Sequence, residues 1–204
     1  MSNTIDFYFD YSSPYGFLAS ERIESIAAVN DHTIVWRPIL LGAVFKVTGQ
    51  TPLTEAPLKG EYSIMDFTRS AREQKLNYSH PEKFPIGAVA ACRATLWLRE
   101  NTDASLQGLT GNFIHEVYRA YFVENKDITN PEIIAEVAGS MGIDVPTMAS
   151  ALTEQAVKDL LRSEVESAIA NGVFGSPMMI VNGEKFWGND RLDQMERWLQ
   201  SGGW

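Results

Sequence analysis

Asp6-Phe7-Tyr8-Phe9-Asp10-Tyr11-Ser12-Ser13-Pro14-Tyr15-Gly16-Phe17-Leu18-Ala19 reads as a strand running into a helix. Ile5, Phe7 and Phe9 alternate with Asp6, Tyr8 and Asp10, which is strand period. Ser13 stands where an N-cap belongs and Pro14 where the first helical residue belongs. A helix that starts this way aims its first backbone N–H groups at the space beside Ser13, and its dipole favours negative charge there. A thiolate, a carboxylate or an oxyanion suits that space; the plainer reading makes Ser13 a cap and nothing more.

Outward from this stretch, Phe17, Leu18, Ile23, Ile26, Ala27 and Val29 continue at helical spacing until Asn30-Asp31-His32. Thr33-Ile34-Val35-Trp36-Arg37, ending at Pro38, is a second strand. A β-α-β opening with a helical crossover implies parallel strands and a right-handed connection. From residue 39 the pattern turns helical. A short helix is expected from about Leu41, a loop over 48–60, and helices over 61–76, 86–100, 106–124, 131–141, 146–152 and 154–171. Gly142 and Gly172 sit where left-handed C-caps belong. The end of the chain returns to strands. Met178-Met179-Ile180-Val181 and Glu184-Lys185-Phe186-Trp187 flank Asn182-Gly183, a strong hairpin signal. A last helix over 191–200 follows, with Asn189 or Asp190 as its expected cap. The fold class is therefore α/β: a small sheet domain built from both chain ends, 1–38 and 170–204, with an all-helical insertion over 39–169.

The chain has 204 residues, 45% of them hydrophobic and 21% charged, which suffices for a real core. Its net charge of −9 argues against nucleic acid and anionic membrane surfaces as partners. With one cysteine, Cys92, a disulfide scaffold and a multi-cysteine metal site are excluded. Cys92 shares an apolar helical face with Ala88, Val89 and Leu96, so it reads as a buried small residue. The start of the sequence lacks the pattern of a signal peptide, and no apolar run spans a membrane, so the expected compartment is the cytoplasm. His32, His80 and His115 show no ligand spacing, and no metal is expected. Tyr8, Tyr11, Tyr15, Trp36, Phe84 and Trp187 are expected to line a groove or the core, with Trp36 in the core.

Chemistry concentrates at Phe174-Gly175-Ser176-Pro177-Met178. A proline at the first residue of a strand, after a Gly-Ser turn, makes a cis bond plausible, with an ordinary trans bond as the alternative. In this element order the exit of the first strand and the start of the third lie close together, so Ser13 and Ser176-Pro177 are expected to face one groove.

The order of elements, the Ser-Pro opening of the first helix, the Gly-Ser-Pro before the Asn-Gly hairpin and the helical insert resemble the thioredoxin fold of the DsbA-like branch. Within it the chain is similar to the 2-hydroxychromene-2-carboxylate isomerases and kappa-class glutathione transferases. The motifs that carry this are residues 6–15, Trp36-Arg37-Pro38-Ile39-Leu40-Leu41-Gly42, Lys59-Gly60-Glu61-Tyr62, Phe84-Pro85-Ile86, Phe174-Gly175-Ser176-Pro177 and Phe186-Trp187-Gly188-Asn189-Asp190-Arg191-Leu192.

Redox members of the superfamily open this helix with Cys-x-x-Cys; Ser13 and Gly16 hold those places here. Thiol–disulfide exchange needs an attacking and a resolving thiol, so it is disfavoured. The resemblance implies instead that glutathione brings the thiol and that the Ser13 hydroxyl hydrogen-bonds its sulfur, lowering the thiol pKa. It implies that the backbone of Ser176 before Pro177 pairs with the cysteinyl amide. It further implies that Asn189 and Asp190, at a helix start, take the α-carboxylate and the ammonium. Lys59 meets the glycyl carboxylate or is a solvated loop lysine. Gln50 stands where the family often has Asn, and Ser176 where it usually has an aliphatic residue, which bears on substrate preference.

The activity so implied is a glutathione-dependent interconversion of 2-hydroxychromene-2-carboxylate and trans-o-hydroxybenzylidenepyruvate in aromatic, naphthalene-type catabolism. A kappa-like transferase or peroxidase acting on small electrophiles shares the same serine. A thioredoxin-like binding module without turnover is the third reading. Small aromatic or electrophilic substrates are the expected partners, and a homodimer is possible because dimers are common in the resembled family.

Overall fold

A computed structural model describes residues 3–101 and 103–204. Two strands, β1 (Thr4–Phe9) and β2 (Thr33–Pro38), flank helix α1 (Pro14–Val29). They are parallel, in register from Thr4 opposite Thr33 to Phe9 opposite Pro38, as the β-α-β reading requires. Helices α2 (Leu41–Thr48), α3 (Lys59–Glu73), α4 (Val89–Glu100), α5 (Leu109–Phe122), α6 (Pro131–Ser140), α7 (Val145–Thr153) and α8 (Gln155–Ala170) follow. The chain then forms β3 (Met178–Val181), β4 (Glu184–Trp187) and α9 (Leu192–Ser201). Strand β3 runs antiparallel to β1, with Asp6 opposite Ile180 and Tyr8 opposite Met178, and the sheet order is β2-β1-β3-β4. In the β3–β4 turn Asn182 and Gly183 both have positive φ, the backbone a two-residue hairpin of this twist needs. The fold is the DsbA-like thioredoxin fold the sequence implied.

The pleat divides the core. Ile5, Phe7 and Phe9 leave one face of β1 and are fully buried with Phe17, Leu18, Phe113, Ile114, Val117 and Tyr118. Trp36 joins them, edge-on to Phe7 and Phe9 at centroid distances of 5.2 and 5.9 Å. Each such side chain contributes about 1.5–3 kcal/mol by leaving water. This cluster draws on both chain ends and on the inserted helices α4 and α5. Tyr8 and Met178 leave the other face, under Val44 of α2 and Ala168 of α8. Cys92 is buried as expected, its thiol 3.7 Å from the Ile39 carbonyl, and burial pushes its pKa well up.

Several helix starts differ from the sequence reading, among them α5, which begins at Leu109 and not at residue 106. Helix α3 begins at Lys59 because Leu58, with φ of 67°, breaks the preceding loop and leaves its side chain 97% exposed. Gly60 lets that loop close against the helix, since a Cβ there would lie 2.4 Å from the Thr54 carbonyl oxygen. Helix α4 begins at Val89 and not at residue 86. The left-handed glycines at 142 and 172 are where the sequence puts them.

Candidate active site

Helix α1 starts at the carboxyl end of β1. Ser13 is its N-cap: φ is −91°, the Gly16 N–H donates to Ser13 Oγ at 3.0 Å, and Pro14 is the first helical residue. The Ser13 hydroxyl in turn donates to the Ser176 carbonyl oxygen at 3.0 Å. The Ser176-Pro177 bond is cis. Ser13, Ser176 and Pro177 are thus brought to one place, and Ser13 is only 5% exposed. A thiolate or oxyanion that takes the Ser13 proton must displace the Ser176 carbonyl from it.

Asp10 holds this junction and was not singled out by the sequence reading. Its buried carboxylate accepts the Ser12 N–H and Oγ–H at 2.7 Å each on Oδ1 and the Leu41 N–H at 2.6 Å on Oδ2. The Asp10 N–H donates to Ser176 Oγ at 2.9 Å, and its carbonyl accepts the Ser13 N–H at 2.9 Å and the Tyr118 hydroxyl at 3.1 Å. Burial raises the Asp10 pKa, and the hydrogen bonds from Leu41 and Ser12 oppose that rise. The Asp-x-Ser spacing is the available signal, an aspartate bonding the backbone two residues on. Gly16 is required by contact: a Cβ there would lie 2.7 Å from the Tyr118 hydroxyl and 3.1 Å from Ser176 Oγ.

The last helix corrects one expectation. Neither Asn189 nor Asp190 caps α9, which begins at Leu192 after a 3-10 turn over Asn189–Arg191, with no side-chain cap. Asn189 Oδ1 instead accepts from Gln74 Nε2 at 3.2 Å, tying the end of α3 to this turn. The exposed Asp190 carboxylate pairs with Arg191 at 2.9 Å. Tyr15, two residues past Ser13, joins the same region. Its hydroxyl donates to Asp66 Oδ2 at 2.6 Å, and its pKa is raised by burial first, then by the bond to Asp66 and the negative charge of Asp66 and Asp190.

Lys59 is the exposed first residue of α3, and Gln50 lies exposed after the C-cap Gly49 of α2. Among the described residues neither makes a hydrogen bond or ion pair with Ser13, Ser176, Asn189 or Asp190. Of the aromatics, Tyr11 is fully buried with its hydroxyl 2.6 Å from Thr95 Oγ1, whereas Trp187 is half exposed beside Phe174. His115 lies between Glu21 and Glu24, 3.2 Å from each; His80 stands against Phe84 and Tyr78; His32 Nδ1 is 2.6 Å from the Asn30 carbonyl. Among the described residues no group of three or more His, Cys, Asp or Glu is arranged to hold a metal, and no helix is long and apolar enough to cross a membrane. Cavities of about 360 and 270 Å³ lie against Trp36 and Arg99 and against Phe17 and Arg119. Neither includes a residue named for the site, so the Ser13 groove is read from its hydrogen bonds and not from a cavity.

Comparison with known proteins bears on the family and the fold. The DSBA-like thioredoxin domain family matches residues 4–200. A 2-hydroxychromene-2-carboxylate isomerase of Sphingobium xenophagum is 28% identical over 201 residues, covering 98% of this chain and 99% of the relative. Glutathione S-transferase kappa 1 of Homo sapiens is 25% identical over 219 residues, covering 98% and 94%. The solved structure of a 2-hydroxychromene-2-carboxylate isomerase superposes with a TM-score of 0.85 at 24% identity, covering 97% of this chain and 95% of that one, a likeness of fold. Similarity along the full length to isomerases and glutathione transferases supports an enzyme.

Proposed function

The chain belongs to the DSBA-like thioredoxin domain family, and on that premise we propose that it is a glutathione-dependent isomerase of the 2-hydroxychromene-2-carboxylate type. The observation that carries the reading is Ser13. A hydroxyl caps the helix at the position from which a thiol would act, and the chain's single thiol, Cys92, is buried elsewhere. Such a site suits a thiol delivered by a ligand. The residues fit glutathione: a hydroxyl donor at a helix N-terminus for sulfur, the Ser176 backbone beside a cis proline for the peptide, and exposed Asp190 and Lys59 of opposite charge for the two ends.

Bound glutathione supplies the nucleophilic thiolate for reversible addition to a conjugated substrate. Ser13 turns its proton from the Ser176 carbonyl to the sulfur, and the α1 N-terminus adds its dipole, so the thiol ionises near neutral pH. Asp10 and Tyr118 hold the turn that carries Ser13. Ser176 and Pro177 orient the cysteinyl backbone, Asp190 takes the ammonium, Asn189 borders it through its tie to Gln74, and Lys59 takes the glycyl carboxylate with Gln50 nearby in sequence. The protein's part is orientation and electrostatics. Aromatic catabolism, a cytoplasmic setting and a homodimer complete the proposal.

The test is a spectral assay of purified protein with 2-hydroxychromene-2-carboxylate, with and without glutathione. Glutathione-dependent interconversion without loss of free thiol is expected. Absence of interconversion, with steady loss of thiol to a generic electrophile, refutes it in favour of a kappa-like transferase, the reading that the 25% identity to that class supports.

A further inference from the structure

The cavity of about 360 Å³ shares no lining residue with the Ser13 groove. It lies where the start of α5 meets β2 and the end of α4, with Glu24 of α1 at its side. Its volume is at the low end of the range for small-molecule sites, about 300–1,000 Å³.

One end is a set of donors. Helix α5 has no side-chain cap: Gly108 holds the N-cap with φ of 80°, and among the described residues the N–H groups of Thr110 and Gly111 donate to nothing. Trp36 lines the cavity and is only 6% exposed, yet among the described residues its indole N–H has no hydrogen-bond partner. That nitrogen stands against the α5 start, 3.4 Å from where a Cβ at Gly111 would lie. A buried donor without a partner is costly, and a ligand acceptor would relieve it. Arg99 donates from Nε to Glu100 at 2.8 Å, from Nη1 to the Trp36 carbonyl at 2.9 Å and from Nη2 to Glu164 at 2.9 Å, which leaves one hydrogen on each Nη. A helix start, an indole N–H and a guanidinium together suit a carboxylate.

The other end is Glu24. Its Oε2 is 3.2 Å from Nε2 of His115, whose Nδ1 is 3.2 Å from Glu21. Its Oε1 would lie 2.6 Å from the same Cβ at Gly111, so Oε1 and the Trp36 nitrogen are within about 6 Å of each other. An anion alone would face Glu24, along with the Glu100 and Glu164 that already hold Arg99, in a chain of net charge −9. A molecule with a carboxylate and an ammonium on one carbon meets both ends at this separation and adds no net charge. Ile34 and the Trp36 ring supply an apolar wall.

We propose that this cavity binds a free α-amino acid with an apolar side chain. The carboxylate meets the α5 start, the Trp36 indole N–H and Arg99; the ammonium meets Glu24; the side chain lies against Ile34. The site stands independently of the glutathione reading.

The test titrates the whole protein with L-leucine, with its half-charged analogues isocaproate and isoamylamine, and with leucylleucine, whose two charges stand farther apart. The readout is the Trp36 indole N–H signal in heteronuclear NMR, assigned by its loss in Trp36→Phe, with Kd from calorimetry. Leucine should move that signal to saturation, and the other three should bind about tenfold or more weakly, each lacking one charged contact. Gly111→Ala places a methyl group between Glu24 and Trp36 and should weaken leucine about tenfold or more, with Tm no lower than wild type because alanine favours the helix. Glu24→Gln should weaken leucine by a similar factor and leave isocaproate no weaker. A Trp36 signal unmoved by millimolar leucine overturns the proposal. So does isocaproate or leucylleucine binding as tightly as leucine, or a leucine Kd within twofold of wild type in G111A.

Discussion

Replacing Ser13 by alanine removes two hydrogen bonds at once: Oγ no longer accepts the Gly16 N–H, and no longer donates to the Ser176 carbonyl or to a ligand sulfur. The first loss concerns stability. An N-cap serine replaced by alanine costs about 1 kcal/mol, within about 0.5–2, which for a chain of this size lowers Tm by about 2–4 °C per kcal/mol. The second concerns the bound thiol. A hydrogen bond to a charged group is worth about 1.5–3 kcal/mol, or about 1–2 pKa units at about 1.4 kcal/mol each. A thiol of ordinary pKa, about 8.5, held about 1.5 units lower by Ser13 is about half ionised at pH 7; without that bond it is about 3% ionised. The Ser13→Ala enzyme should therefore lose about tenfold or more in kcat/KM at pH 7, and the gap should narrow above pH 9, where both thiols are ionised. Titration of the bound thiol by its ultraviolet absorbance, run beside kcat/KM from pH 6 to 9.5 and well below Tm, measures both. A bound-thiol pKa unchanged by the substitution, or a rate deficit of the same size at every pH, refutes the role given to the hydroxyl.

Further outcomes follow from other contacts. Gly16→Ala would gain about 1 kcal/mol of helix propensity, but its Cβ meets the Tyr118 hydroxyl at 2.7 Å. It should lose about 1–3 kcal/mol net, and the double variant with Tyr118→Phe should be less destabilised than the sum of the two by more than about 0.5 kcal/mol in urea unfolding. His115 is subject to burial, which lowers its pKa, but Glu21 and Glu24 outweigh that and raise it above 6.5. Its stabilisation is full below pH 6.5 and is lost as pH rises through the folded value, so His115→Gln should flatten a fall in Tm between pH 6.5 and 8.5. Glu164 lies buried 2.9 Å from Arg99 and 3.2 Å from Arg37. Glu164→Gln should cost about 2–3 kcal/mol in urea unfolding, below the range for a fully buried pair because Arg37 is partly exposed and keeps Asp6 at 2.8 Å.

What the sequence made legible is what neighbours in the chain decide. Alternation at Ile5, Phe7 and Phe9, the Ser-Pro start at 13–14 and Asn182-Gly183 each act within a few residues, and each stands in the structure as read. The start of α9 was misread because Asn189 has the chemistry of a cap but is engaged by Gln74, 115 residues away. The start of α3 was misread because a leucine with positive φ at 58 carries no compositional mark. At the site, Ser13 and Ser176-Pro177 were legible through local turn chemistry. Tyr118 and Asp66 were not, since their contacts exist only once α5 and α3 pack against α1.

The burial of Cys92 has a consequence for the conditions this protein can work in. Thiols within a cell exchange with disulfides of their surroundings, and an exposed cysteine is steadily converted to a mixed disulfide when the pool turns oxidising. Here the single sulfhydryl sits behind the sheet with no solvent contact and no ionised form near neutral pH. The chain offers no exposed thiol to be converted to a mixed disulfide. On the glutathione reading, its output would follow the supply of that thiol and would return as soon as that supply did, with no protein disulfide to be reduced first.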